Sequence, residues 1–132
     1  MTTTSPLVTG VDFVSVPTRD LEATADFYGN TLELLRSVYM PDRNFAEFEA
    51  GNLTLTVIDP EKMGIGDFER NASAIALHVE DVGAARATLE ERGVTFSGDI
   101  LDTGVCHMTF FADPEGNPLM LHHRYAPRHT DL

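Results

Sequence analysis

One pattern occurs twice in this chain, sixty-one residues apart, and it limits the available folds more than any other feature. Phe13-Val14-Ser15-Val16-Pro17-Thr18-Arg19-Asp20-Leu21 reads as a strand that stops at a proline and runs into a helix cap. Ala74-Ile75-Ala76-Leu77-His78-Val79-Glu80-Asp81-Val82 reads the same way, with Asp81 in the place of Asp20. Each copy is followed by three more strand-like segments and a Gly-Asn turn. At 132 residues and 42% hydrophobic, the chain is long enough for one ordinary core and too short for two. The expectation is a single domain over 1–132, made of two similar strand–helix–three-strand modules. Function then depends on which side chains face the space that the modules enclose.

The segments follow from local chemistry. Val11 to Val16 is a β-branched run, and Asp20 is an N-cap for a helix with Leu21, Ala25, Tyr28, Leu32 and Leu35 at helical spacing. Leu34 to Met40 is expected as a strand, closed by the turn Pro41-Asp42-Arg43-Asn44. Phe45 to Glu49 alternates as a strand should, Ala50-Gly51-Asn52 turns, and Leu53 to Ile58 alternates again before Asp59-Pro60. Module one is therefore placed at about 8–59, with 60–72 as a linker carrying the apolar Met63, Ile65 and Phe68. Ser73 to Val79 is a strand, and Asp81 caps a helix through Val82, Ala85, Leu89 and Arg92 that stops at Gly93. Val94-Thr95-Phe96, Val105 to Phe111 and Leu119 to His123 are read as the remaining strands. Module two is placed at about 73–124, with a frayed tail over 125–132.

Nine basic residues against twenty-one acidic ones give a formal charge of −12. That balance excludes nucleic acid as a partner, because phosphates need clustered Lys and Arg. It suits a cationic small molecule, although a compositional bias produces the same number: Lys62 is the only lysine beside eight arginines. No run approaches the ~18 apolar residues of a membrane span, and the first residues lack a secretory pattern. The lone Cys106 leaves no internal disulfide and fits a reducing compartment, so the cytoplasm is expected.

With the segments in place, three stretches resemble a known family. Asp20-Leu21-Glu22-Ala23-Thr24-Ala25-Asp26-Phe27-Tyr28 is similar to the first helix of the vicinal oxygen chelate superfamily, the glyoxalase/bleomycin-resistance/dioxygenase fold. Ile75-Ala76-Leu77-His78-Val79-Glu80-Asp81-Val82 is similar to its second-module start, and Phe111-Ala112-Asp113-Pro114-Glu115-Gly116-Asn117-Pro118-Leu119 to its final hairpin. The resemblance implies an α+β fold: two tandem βαβββ modules forming a curved, partly closed eight-stranded mixed sheet around a cavity, commonly within a homodimer. It also implies where a divalent metal would be held by His and Glu. Those positions fall on Phe13, on Ala74, on Met120 and on Thr54 or Thr56. Phe, Ala and Met do not ligate a borderline cation, and a Thr hydroxyl is a poor lone ligand. No metal and no cofactor are expected there.

Strand alternation extends each cavity face from those positions. It takes in Phe13 and Ser15, then Ala74, Ala76 and His78, then Met120 and His122, with Thr54 and Thr56 from module one. The resemblance adds Cys106, Met108 and Phe110, which turns His107 the other way. The expected lining is apolar, sulfur-rich and aromatic, as in many small-molecule sites; solid packing of the same residues is the alternative. His78 and His122 share one end of adjacent strands and are open to a displaced metal site or an acid/base pair, or to plain rim histidines. His107, His123 and His129 have no geometric case from sequence. Cys106 is open to nucleophilic use or to burial as an inert thiol.

Three functions remain in play. The first is a metal-independent protein of the bleomycin-resistance type that sequesters a hydrophobic or cationic-aromatic ligand. The second is an enzyme of the superfamily, acting on a small oxygenated substrate through a displaced His78/His122 site. The third is a dimerising scaffold without chemistry.

Overall fold

The structure is a computed structural model that describes residues 6–128; His129 and the rest of the predicted tail's end lie outside the described residues. Strand β1 spans Phe13–Pro17, and Thr18 still donates its N–H to the Ile58 carbonyl at 2.8 Å before the chain turns. Asp20 caps helix α1 (Leu21–Asp26), its Oδ1 accepting the Ala23 N–H at 3.1 Å. The helix then widens into a π turn over Phe27–Thr31, closed by the Leu32 N–H on the Phe27 carbonyl at 3.0 Å. Leu35, read as the last helical position, instead opens strand β2 (Leu35–Met40) and is 70% exposed. Strands β3 (Phe45–Glu49) and β4 (Thr54–Ile58) complete the first module.

The predicted linker contains a single helical turn, α2 (Pro60–Met63), started by Asp59. Strand β5 (Ile75–His78) leads to α3 (Val82–Glu91), where Asp81 Oδ1 accepts the Ala84 N–H at 3.0 Å. Gly93, at φ +89°, takes the left-handed turn that ends this helix. The sixth strand does not lie at Val94–Phe96. Val94 and Phe96 pack on the core as a link, and β6 follows at Ser97–Asp102. Strands β7 (Cys106–Ala112) and β8 (Pro118–Arg124) finish the chain.

The eight strands divide into two four-stranded mixed sheets, ordered β1-β4-β3-β2 and β5-β8-β7-β6, rather than one continuous sheet. In each, the first strand runs parallel to the last, and the other pairs are antiparallel. One face of each sheet joins a shared core. Val16, Phe48, Leu55 and Val57 come from the first module, and Phe111, Leu119 and Leu121 from the second.

Polar bonds lock the modules together inside that core. Asn117 Nδ2 donates to the Pro17 carbonyl at 2.8 Å, and Tyr28 Oη donates to Asp113 Oδ2 at 2.8 Å. At the surface, Arg92 adds a third link, reaching the Thr31 carbonyl at 2.7 Å and pairing with Glu33. Because both core faces meet here, alternation turns the opposite face of each sheet away from the core.

Candidate functional site

The outward faces carry the residues singled out from sequence, in two groups. On the first sheet, Phe13 pairs with Thr54 and Ser15 with Thr56 across the parallel β1–β4 ladder. Phe13 is 57% exposed, whereas Thr56 is buried at 6%. The Thr56 hydroxyl makes no hydrogen bond among the described residues.

On the second sheet, Ala76 pairs with Met120, which pairs in turn with Phe110. The next row is His78, His122 and Met108. Ala74 is half-buried just before β5, and Met108, Phe110, Met120 and His122 are half-buried. Cys106 is buried, with Sγ 3.0 Å from Thr103 Oγ1. A tucked-in thiol of this kind fits the inert reading.

Two acidic residues share the outward face of the first sheet and were not singled out. Glu47 pairs with Thr56 and Glu49 with Thr54. The signal was in the sequence: Ala46 and Phe48 are core residues, so alternation sends Glu47 and Glu49 the other way. Glu49 accepts hydrogen bonds from Ser37 Oγ at 2.5 Å and Thr54 Oγ1 at 2.7 Å. The Ser37 bond first, then the Thr54 bond, hold its carboxyl below the usual range, so the group is a fixed anion. The lining is therefore less purely apolar than the sequence reading had it.

The cavity also differs from expectation. A cleft of about 710 Å3 opens on the core side, lined by Leu34, Leu53, Ile75, Leu77 and Leu121, with Arg92 at its edge. Only Ala76 and His78 of the expected lining border it. The predicted cavity faces are instead outer surfaces of the two sheets.

Tested against a metal chelate, the donors fall short. Phe13, Ala74 and Met120 offer a ring, a methyl group and a thioether where the resemblance implies His and Glu. The remaining position supplies only a threonine hydroxyl. This set does not fit a divalent cation.

His78 departs from its expected partner. Its Nε2 lies 3.1 Å from Glu80 Oε1, and its ring stands 5.7 Å from that of His123 rather than engaging His122. His107, also without a case in the sequence, sits 3.3 Å from Asp102 Oδ2 and packs against Tyr125 with ring centres 4.9 Å apart and planes tilted by 40°.

No curated protein matches the chain significantly. Solved structures do. TnmS3, an antibiotic binding protein from Streptomyces sp. CB03234, is 25% identical with a TM-score of 0.75, covering 91% of this chain and 99% of that one. A glyoxalase/bleomycin resistance protein from the same organism is 26% identical, TM-score 0.69, over 87% and 100% of the two chains. Lactoylglutathione lyase from Agrobacterium tumefaciens shares the fold at 16% identity and TM-score 0.73, over 89% and 95%. No helix among the described residues is long and apolar enough to cross a membrane. A family model described as the Glyoxalase/Bleomycin resistance protein/Dioxygenase superfamily matches residues 10–121, so that the doubled βαβββ pattern, the paired mixed sheets and the match agree: the chain belongs to that superfamily.

Proposed function

We propose that this protein binds a small aromatic molecule, apolar or cationic, on the outward sheet faces without using a metal. The observation that carries the reading is the donor set: Phe13, Ala74 and Met120 stand where the superfamily's chelate would be. An aromatic ring and thioethers favour contact with planar apolar ligands. Glu47 and Glu49 on the first sheet, and the net charge of −12, favour a ligand that also carries positive charge. Likeness to an antibiotic binding protein at 25% identity supports the same class.

Each outward face is a half-site, with Phe13 more than half exposed. A homodimer that sets the first sheet of one protomer against the second sheet of another would complete the pocket. Light scattering reads the expected mass directly.

The chain contains no tryptophan, so Met120→Trp supplies a single reporter on the second sheet. A panel of planar cationic aromatic compounds should raise the melting temperature of the unaltered protein equally with and without EDTA. At a hundredfold excess over Kd the gain is about 2.7 kcal/mol. Met120→Trp should weaken binding and quench on ligand addition. Loss of binding on adding EDTA would sink the reading.

The core-side cleft favours a second location, because about 710 Å3 suits a drug-sized ligand. Leu53→Trp narrows that cleft and leaves the outward faces untouched. Binding lost in Leu53→Trp but kept in Met120→Trp assigns the ligand to the cleft.

A further inference from the structure

One end of the second sheet gathers three side chains, of which Glu80 and His123 lie outside the ligand reading and His78 stands at its margin. His78 closes β5, Glu80 stands in the turn into α3, and His123 lies near the end of β8. One donor atom from each lies within 4.8 Å of the other two. His78 Nε2 and Glu80 Oε1 are already 3.1 Å apart. Metal bonds of about 2.0–2.2 Å place tetrahedral ligand atoms roughly 3.3 Å apart, so small side-chain rotations close the set.

A second observation concerns which nitrogen is available. His123 Nδ1 lies 3.1 Å from the Val79 carbonyl. A carbonyl only accepts, so Nδ1 carries the proton and Nε2 keeps its lone pair. This is the orientation that metal-ligating histidines usually receive from a backbone acceptor. Val79 is itself fixed, its N–H donating to the His122 carbonyl at 3.1 Å. The parallel β5–β8 pairing therefore holds both the ligand and the group that orients it.

We propose that His78, Glu80 and His123 bind one divalent cation of borderline softness, zinc in the first instance. Two imidazoles and one carboxylate select zinc and its neighbours over magnesium or calcium, which prefer all-oxygen sets. The site is not the superfamily's chelate position. Ala74 lies four residues before His78, about 13 Å along an extended strand. Three protein ligands leave a tetrahedral ion one position for water or an oxygen donor. Glu80 and His123 also border a recess of about 410 Å3 with His107 and Tyr125, which gives such a donor room. Phe13, Thr54, Thr56 and Met120 take no part in the site, and His78 alone is shared with the outward row of the second sheet, so Met120→Trp reads ligand binding and His123→Ala reads the metal separately.

The test uses the full chain without an affinity tag, stripped by chelator and dialysed. Calorimetric titration with zinc should show one saturable equivalent, and cobalt(II) should give the intense visible bands of a tetrahedral site. His78→Ala and His123→Ala should each weaken zinc binding at least ~tenfold and abolish the cobalt bands. His78 is exposed, so its variant reads ligation without a folding defect, and circular dichroism checks the other. Absence of saturable zinc binding overturns the proposal. So does binding that survives unchanged in both variants, which assigns the ion elsewhere.

Discussion

Tyr28→Phe removes one oxygen atom from the interior and almost nothing else. Tyr28 is fully buried, and its hydroxyl donates to Asp113 Oδ2 at 2.8 Å. The same carboxylate accepts Asn117 Nδ2 at 2.8 Å and the N–H groups of Glu115 and Asn117 at 2.9 Å each. Phenylalanine keeps the edge-on contact with Phe27 at 5.4 Å and the packing against Phe48 at 6.0 Å. What disappears is one hydrogen bond to a charged group, worth about 2 kcal/mol when the acceptor stays buried. For a chain of this size that lowers the melting temperature by about 8 °C.

The same hydroxyl links stability to pH. Burial first, and then the neighbouring Asp113 charge, push the Tyr28 pKa far above its ordinary value of 10.0. In the unfolded chain the group ionises near pH 10; in the folded chain it stays neutral. A raised folded pKa means that its contribution is complete below pH 10 and is lost as the pH climbs further. The loss approaches 1.4 kcal/mol per pH unit, a term that the Phe variant lacks. Urea unfolding followed by circular dichroism should give a gap of about 2 kcal/mol at pH 8 that shrinks by about 1.4 kcal/mol at pH 11. Equal stabilities at pH 8, or an undiminished gap at pH 11, would refute the reasoning.

Asn117→Ala removes bonds to Pro17, Asp113 and Asn71 at once, and should cost about 3–5 kcal/mol in the same assay, more than Tyr28→Phe. Asp81→Ala deletes the cap of α3 and should cost about 1 kcal/mol, read as lost helical signal and a lower melting point. Asp102 is held below its ordinary 3.8 by the Gly104 N–H first, then by the Tyr125 hydroxyl, with the His107 charge adding to them. Its contribution is present above pH 3.8 and is lost as the pH falls further. Asp102→Asn should therefore flatten the acid arm of the melting curve below pH 3.8.

The repeat made the fold legible because it coupled two kinds of signal. Asp20 and Asp81 cap helices as their position after a strand implies, and Phe45–Glu49 forms the strand that its alternation predicts. Ser97–Asp102 escaped because it is an exposed edge strand on both faces, with a register shift between Ser97 and Leu101. Burial leaves no two-residue period in such a segment, while the half-buried Phe96 beside it imitates one.

Alternation groups residues reliably where strands pair without shifts, as in the Ala76–Met120–Phe110 row. His123 was missed for a geometric reason. Alternation assigns it to the face opposite His122, yet strand twist and the Val79–Glu80 turn bring it beside His78 at the sheet's end. The Glu47 and Glu49 carboxylates were legible and were overlooked beside the apolar residues.

The wide turn at Phe27–Thr31 bears on how the chain tolerates changes in length. A π turn accommodates one residue more than the α-helical ladder needs. Deleting a single residue there, Asn30 for example, would close the turn to ordinary pitch with later side chains in place, whereas inserting a further one would rotate every later side chain by about 100°. Leu32 and Leu34 would swing off the core, and β2 would meet β3 with the wrong face. The segment 64–70, outside any helix or strand and ahead of the Asn71 bond to Asn117, carries no comparable phase and can lengthen or shorten at little cost. Natural variants of this sequence are therefore expected to differ in length after Met63, and between Asp20 and Leu35 to lose at most the one extra residue of the wide turn and to gain none.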